Sequence, residues 1–131
     1  MSDSSPLHHR LGDLQLRILK VLWSLPEASV AVVHGRLKDA HPLAYTTVAT
    51  MLRRMEARGI VTHREQGRTF LYKARVAASD VGASIGHRMV EQVFEGSLAD
   101  AISHLLRTRD VRREELDALE KLIREAKRRT R

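Results

Sequence analysis

Cysteine is absent from this 131-residue chain, which excludes disulfide frameworks, thiolate zinc and copper sites and cysteine nucleophiles together. Aromatic residues are scarce, at one tryptophan, two tyrosines and two phenylalanines, which speaks against an aromatic-lined ligand pocket. Apolar runs extend only a few residues, far short of the roughly 20 needed to span a bilayer. The opening MSDSSPLHHRLGDLQ lacks the apolar stretch of a secretory signal. Seven histidines stand at positions 8, 9, 34, 41, 63, 87 and 104, but none forms an HExxH pair. No glycine-rich phosphate loop or nucleophile elbow occurs either. The expectation is a soluble, cytoplasmic chain that is not an enzyme and needs no cofactor or metal.

Charge is present and unevenly spread. Residues 1–75 carry twelve basic and six acidic side chains, 76–106 carry Arg88 against four acids, and 107–131 carry ten bases and six acids. The net +7 therefore comes from a basic body and tail flanking an acidic middle. That arrangement suits a polyanionic partner for the first part, although a solubilising surface produces the same totals. An apolar share of 43% is ordinary for a globular protein. The length allows one compact domain, or a small domain with an oligomerisation arm.

Periodicity supplies the elements. Leu14, Ile18, Val21 and Leu22 predict a helix from Asp13, as its N-cap, to Ser24, stopped by Pro26. Trp23 in its last turn reads as a core anchor. A second short helix starts after Ser29, turns Val33 and Leu37 inward and ends at His41-Pro42. The third, Ala44 to Arg58, has Val48, Met51, Leu52 and Met55 as its apolar stripe, with Gly59 as its left-handed cap. The period then falls to about 2: IVTHRE and TFLYKA read as strands joined at Gln66-Gly67, with Arg64 and Arg68 beside the tip and Lys73 and Arg75 at the base. A helical pattern returns at Ala78, softens at Gly96-Ser97, and a final helix covers about Arg112 to Arg128. The predicted order is three helices, a hairpin and two helices.

That order predicts a mainly α fold with a small β-hairpin, a winged helix-turn-helix followed by a helical dimerisation arm. Boundaries are expected at 1–10 for a disordered N-terminus, 11–76 for the winged domain and 77–131 for the arm. The third helix leaves Tyr45, Thr46, Thr47, Thr50, Arg53 and Arg54 off its apolar stripe. Threonine hydroxyls and methyls suit base edges, and arginines suit phosphates. Arg64 and Arg68 add backbone or minor-groove contacts from the wing. Three threonines within five positions are poor value for a merely solvated helix, although single residues among them could be no more than that.

In the arm, Val81, Ile85, Met89, Val93, Leu98, Ile102, Leu105 and Leu106, with Leu116, Leu119 and Ile123 of the last helix, exceed what one short helix can cover. Self-association is the economical reading; folding back on the winged domain is the other. A homodimer would present two reading helices to a palindromic duplex. A fragment 1–77 should then fold but bind its operator weakly.

The stretches LGDLQLRILKVLW, AYTTVATMLRRMEARGIVTHREQGRTFLYKA and VFEGSLADAISHLL resemble the penicillinase-repressor family of BlaI and MecI, with the related copper-responsive CopY repressors, over about residues 11–127. The lack of cysteine excludes the copper branch. The resemblance implies a dimeric repressor on a palindromic operator, released when a membrane sensor-protease triggers cutting in the arm. Alignment on VFEG puts His104-Leu105 at the position of the cut bond. It also places base-reading positions on Thr46, Thr47, Ala49 and Thr50, where Ala49 offers only a methyl group. Two other functions fit the fold: a winged module for protein contacts, and a regulator sensing a small molecule.

Overall fold

The computed structural model describes residues 12–40 and 42–130. Its elements are α1 (Asp13–Ser24), α2 (Val30–Leu37), α3 (Tyr45–Ala57), β1 (Val61–Gln66), β2 (Thr69–Ala74), α4 (Ala78–Val93), α5 (Leu98–Thr108) and α6 (Arg113–Arg129). One compact unit ends at Gly86 and a second begins at His87. The expected disorder over 1–10 and the part of His41 in closing α2 lie outside the described residues.

The first unit is built on three apolar stripes. Spacings of three and four put Ile18, Leu19 and Leu22 of α1, Val33 and Leu37 of α2, and Val48, Leu52 and Met55 of α3 on single faces. They meet Ile60, Val61 and Tyr72 from the hairpin in one core. Each fully buried aliphatic side chain contributes about 1.5–3 kcal/mol. Met51 is only half-buried at the edge of that core. Trp23 also lies at the edge, where its Nε1–H donates to the Val76 carbonyl at 2.8 Å.

Backbone chemistry fixes the ends. Ser29 caps α2, its hydroxyl accepting from the Val32 amide at 3.2 Å. For α1 the cap shifts by one residue: Gly12 holds the extended N-cap position and Asp13 lies inside the first turn, where its charge complements the helix dipole. α3 closes in a Schellman motif. Gly59, at φ 78°, donates to Glu56 O and Ile60 donates to Met55 O, each at 2.9 Å. That geometry delivers Ile60, fully buried, into the core at the start of the wing.

β1 and β2 pair antiparallel with Gln66 opposite Thr69, so the two-residue turn is Gly67-Arg68 rather than Gln66-Gly67, and β1 starts at Val61, not Ile60. Gly67 has φ 62° and Arg68 does not have a positive φ, as a turn with glycine at its first central position requires. Ala28, in the α1–α2 connection, exchanges both backbone hydrogen bonds with Tyr72, at 2.8 and 2.9 Å. The loop thereby adds a single isolated bridge on the side of β2 away from β1.

After the hairpin there are three helices, not two. The soft point at Gly96-Ser97 is a full break: Glu95 at φ 52° and Gly96 at φ 85° turn the backbone left-handed after α4, and the Ser97 hydroxyl restarts the helix by accepting from the Asp100 amide. In the second unit Ala101 is the one buried residue among those described.

Candidate nucleic-acid interface

With one side of α3 committed to the core, its geometry presents the other side to solvent. Tyr45, Thr46, Thr47, Arg53 and Arg54 are exposed, while Ala49 and Thr50 are half-buried. The Arg53 guanidinium donates to the Thr50 hydroxyl at 3.2 Å, so these two act as one group. The result is a helix face of hydroxyls, one methyl and guanidiniums, with no carboxylate from Tyr45 to Met55. His34 of α2 supports its start: Nε2–H donates to the Leu43 carbonyl at 2.8 Å, and Tyr45 meets the imidazole edge-on at 5.9 Å.

Two side-chain hydrogen-bonded pairs that sequence reasoning missed set the posture of the wing. His63 Nδ1 donates to the Glu56 carboxylate at 2.6 Å, joining β1 to the last turn of α3. The same imidazole stacks on Phe70, with centroids 4.1 Å apart and planes 16° from parallel. Arg64 forms the second pair, its Nε donating to Glu27 Oε2 at 3.0 Å and its Nη2 also engaged with that carboxylate. The Arg64 hydrogen bonds hold the Glu27 carboxyl below the usual carboxylate range. Arg64 was expected beside the tip, yet it faces Leu71 in mid-strand. Arg68 does occupy the turn and is exposed.

Between the start of α2, the outer face of α3 and the wing lies a groove of about 520 Å³, lined by Ser29, Val30, Ala31, Tyr45, Ala49, Arg53, Arg68, Thr69, Phe70 and Tyr72. The structure thus brings Tyr45, Ala49, Arg53 and Arg68 together on one concave surface. Tyr72, opposite His63 in the ladder, is 2% exposed. Burial, and then the nearby Glu56 charge, raise its phenol above the ordinary tyrosine range.

The C-terminal helices present different chemistry. Ile85, Val93, Leu98, Ile102, Leu105, Leu106, Leu116 and Ile123 are exposed, and Leu122 joins them; Met89 and Leu119 are half-buried. Val81, expected among the self-association residues, packs instead in the core of the first unit, because the first turn of α4 follows directly on the wing. An apolar groove of about 610 Å³ runs along α5, lined by Leu98, Ala99, Ile102, Ser103, Leu106, Arg107 and Ile123. His104 and Leu105 lie inside α5, where the His104 carbonyl accepts from the Thr108 hydroxyl at 2.9 Å. No helix is long and apolar enough to cross a membrane among the described residues.

The family model of the penicillinase repressor matches residues 11–125, most of the chain. The chain belongs to the penicillinase-repressor family. A penicillinase repressor from Bacillus licheniformis is 25% identical over 120 residues, covering 92% of this chain and 94% of that protein. The transcriptional regulator BlaI of Mycobacterium tuberculosis is 31% identical over 118 residues, covering 88% and 84%. Among solved structures, the DNA-binding domain of the repressor BlaI in solution superposes with TM-score 0.50 at 28% identity. That match covers 54% of this chain and 87% of the domain. As in that penicillinase-repressor domain, the fold here is a winged helix.

Proposed function

We propose that this penicillinase-repressor family member is a homodimer that occupies a palindromic operator and blocks transcription. The observation that carries the reading is the outer face of α3: exposed Thr46, Thr47, Arg53 and Arg54 beside a wing with Arg68 at its turn. Hydroxyls and the Ala49 methyl read base edges in the major groove, and the arginines hold phosphates. Had the winged domain served protein contacts, apolar side chains would be expected at 46, 47 and 50, and all three are threonine. The exposed apolar side chains of α5 and α6 support self-association as the way two reading helices are held together.

Release acts on the same helices in this reading. A membrane sensor-protease that cuts the chain, or another signal that loosens the pair, removes the gain of linked half-sites without touching α3. A cut at His104-Leu105 first requires α5 to unwind, because a protease takes its substrate extended and this peptide lies inside a helix.

The test is binding of the full chain to palindromic and mixed-sequence duplexes over a range of salt. Arg54→Ala should weaken both and reduce the slope of log affinity against log salt by about one. Thr47→Ala should change the preferred sequence, costing about 1–3 kcal/mol at the bases it reads. Unaltered binding by both variants would overturn the assignment of the reading face.

A further inference from the structure

We infer that the groove between the start of α2, the outer face of α3 and the wing seats one backbone phosphate of duplex DNA, with the Tyr72 hydroxyl, Arg53 and Arg68 as its donors. The inference rests on the DNA-binding reading above and adds to it a residue, Tyr72, that belongs to the core by its ring and to the interface by its oxygen.

The tyrosine is the decisive observation. Its residue is 2% exposed and lines the groove, and its backbone is fixed by the Ala28 bridge on one side and His63 on the other. Its hydroxyl makes no hydrogen bond within the described residues, and it is not among the side-chain atoms sealed from solvent there, so it is open to a partner in the groove that Tyr72 lines. A tyrosine phenol is protonated at neutral pH and burial only raises its pKa further, so the group it offers is an O–H donor, which an anionic oxygen satisfies. Arg53 lies near enough to act electrostatically on the same phenol, and Arg68, in the turn of the wing, lines the same groove.

The remaining lining has the same sign of preference. Val30 and Ala31 open α2 at the groove, and first-turn amides have no partners inside their own helix. The Ser29 side chain serves the Val32 amide and leaves those two. No acidic residue lines the groove; Glu56, the carboxylate nearest in effect, is taken up by His63. Arg64 supplies a built-in contrast. By strand alternation it points to the face opposite Tyr72, and Glu27 holds its guanidinium there.

The test uses the full chain and a mixed-sequence duplex in which single phosphates are replaced, one at a time, by neutral methylphosphonates. Wild type should lose about tenfold in affinity at one replacement per half-site, the scale of one charge-assisted contact. Tyr72→Phe should bind the unmodified duplex about three- to tenfold less tightly and be less sensitive to that same replacement. Arg68→Ala should lose the same sensitivity and lower the salt slope by about one, whereas Arg64→Ala should keep both. If Tyr72→Phe lowers the thermal midpoint, the coupling is read from Arg68→Ala alone, and its absence there overturns the seat. Wild-type binding with equal sensitivity in all variants overturns the seat and leaves the DNA reading standing. Failure of wild type to bind any duplex overturns both.

Discussion

The two halves of this chain bury their apolar residues to very different extents. Up to Gly86, helices of 8 to 13 residues and a hairpin enclose a core in which Ile18, Leu19, Val33, Val48, Leu52, Met55 and Ile60 are wholly inaccessible. From His87 on, amphipathic helices of comparable length leave Val93 at 67%, Leu98 at 62%, Leu122 at 58% and Ile123 at 51% exposure. The difference lies in what each stripe meets. Three stripes and a two-stranded sheet converge on a point, whereas α5 and α6 offer apolar faces that exceed their mutual cover. The first unit closes on its own core, and the second leaves apolar faces uncovered.

The largest effect should come from separating the halves. A fragment ending at Gly86 should stay folded and monomeric yet bind palindromic DNA about two to four orders of magnitude more weakly than the full chain, the usual gain from linking two sites. Sedimentation and fluorescence anisotropy check this, and equal affinity would remove the case for a dimer. The cut belongs after Gly86, because a fragment 1–77 discards Val81 from the core.

Within the halves, matched substitutions should separate cleanly. Leu52→Ala should destabilise the winged unit by about 2–5 kcal/mol in a denaturant melt while leaving self-association intact. Ile102→Asp should leave the winged unit's melt in place and weaken self-association at least about tenfold, since it puts a charge into an apolar contact. A change in both readouts from either substitution would blur the contrast between the units.

The smallest effect should be that of Glu27→Gln, which tests whether the wing is held by charge as well as by its core. The folded pKa of Glu27 is depressed, so its contribution is present at neutral pH, above the unfolded pKa. It is lost as pH falls through the depressed folded value. The difference in thermal midpoint between wild type and Glu27→Gln should therefore be small at neutral pH, shrink toward zero in acid, and shrink also with added salt.

The helical skeleton was legible because period and punctuation are local signals. The stripe Val48-Leu52-Met55 and the glycine after Arg58 announce α3 and its end, and the residues off that stripe are necessarily the ones available to a ligand. Features joined across long stretches of chain were not legible. Nothing near Arg64 indicates that Glu27, 37 positions earlier, holds it, and nothing in a loop after Pro26 marks Ala28 as a partner of Tyr72. The turn shift at Gly67 follows from the same limit, since the hairpin register is decided by side chains packing on α3 and α1. Val81 was misassigned because spacing by four continues through α4, while what covers its first turn is visible only in the fold.

One consequence follows from the hydrogen bond between Trp23 and the Val76 carbonyl. The chain's single indole sits where the wing's last strand hands over to α4, so its ultraviolet emission is a native optical gauge of that junction. Tension on α4 strong enough to break the bond would expose more of the half-buried ring to water and shift the emission further to the red, with no dye attached.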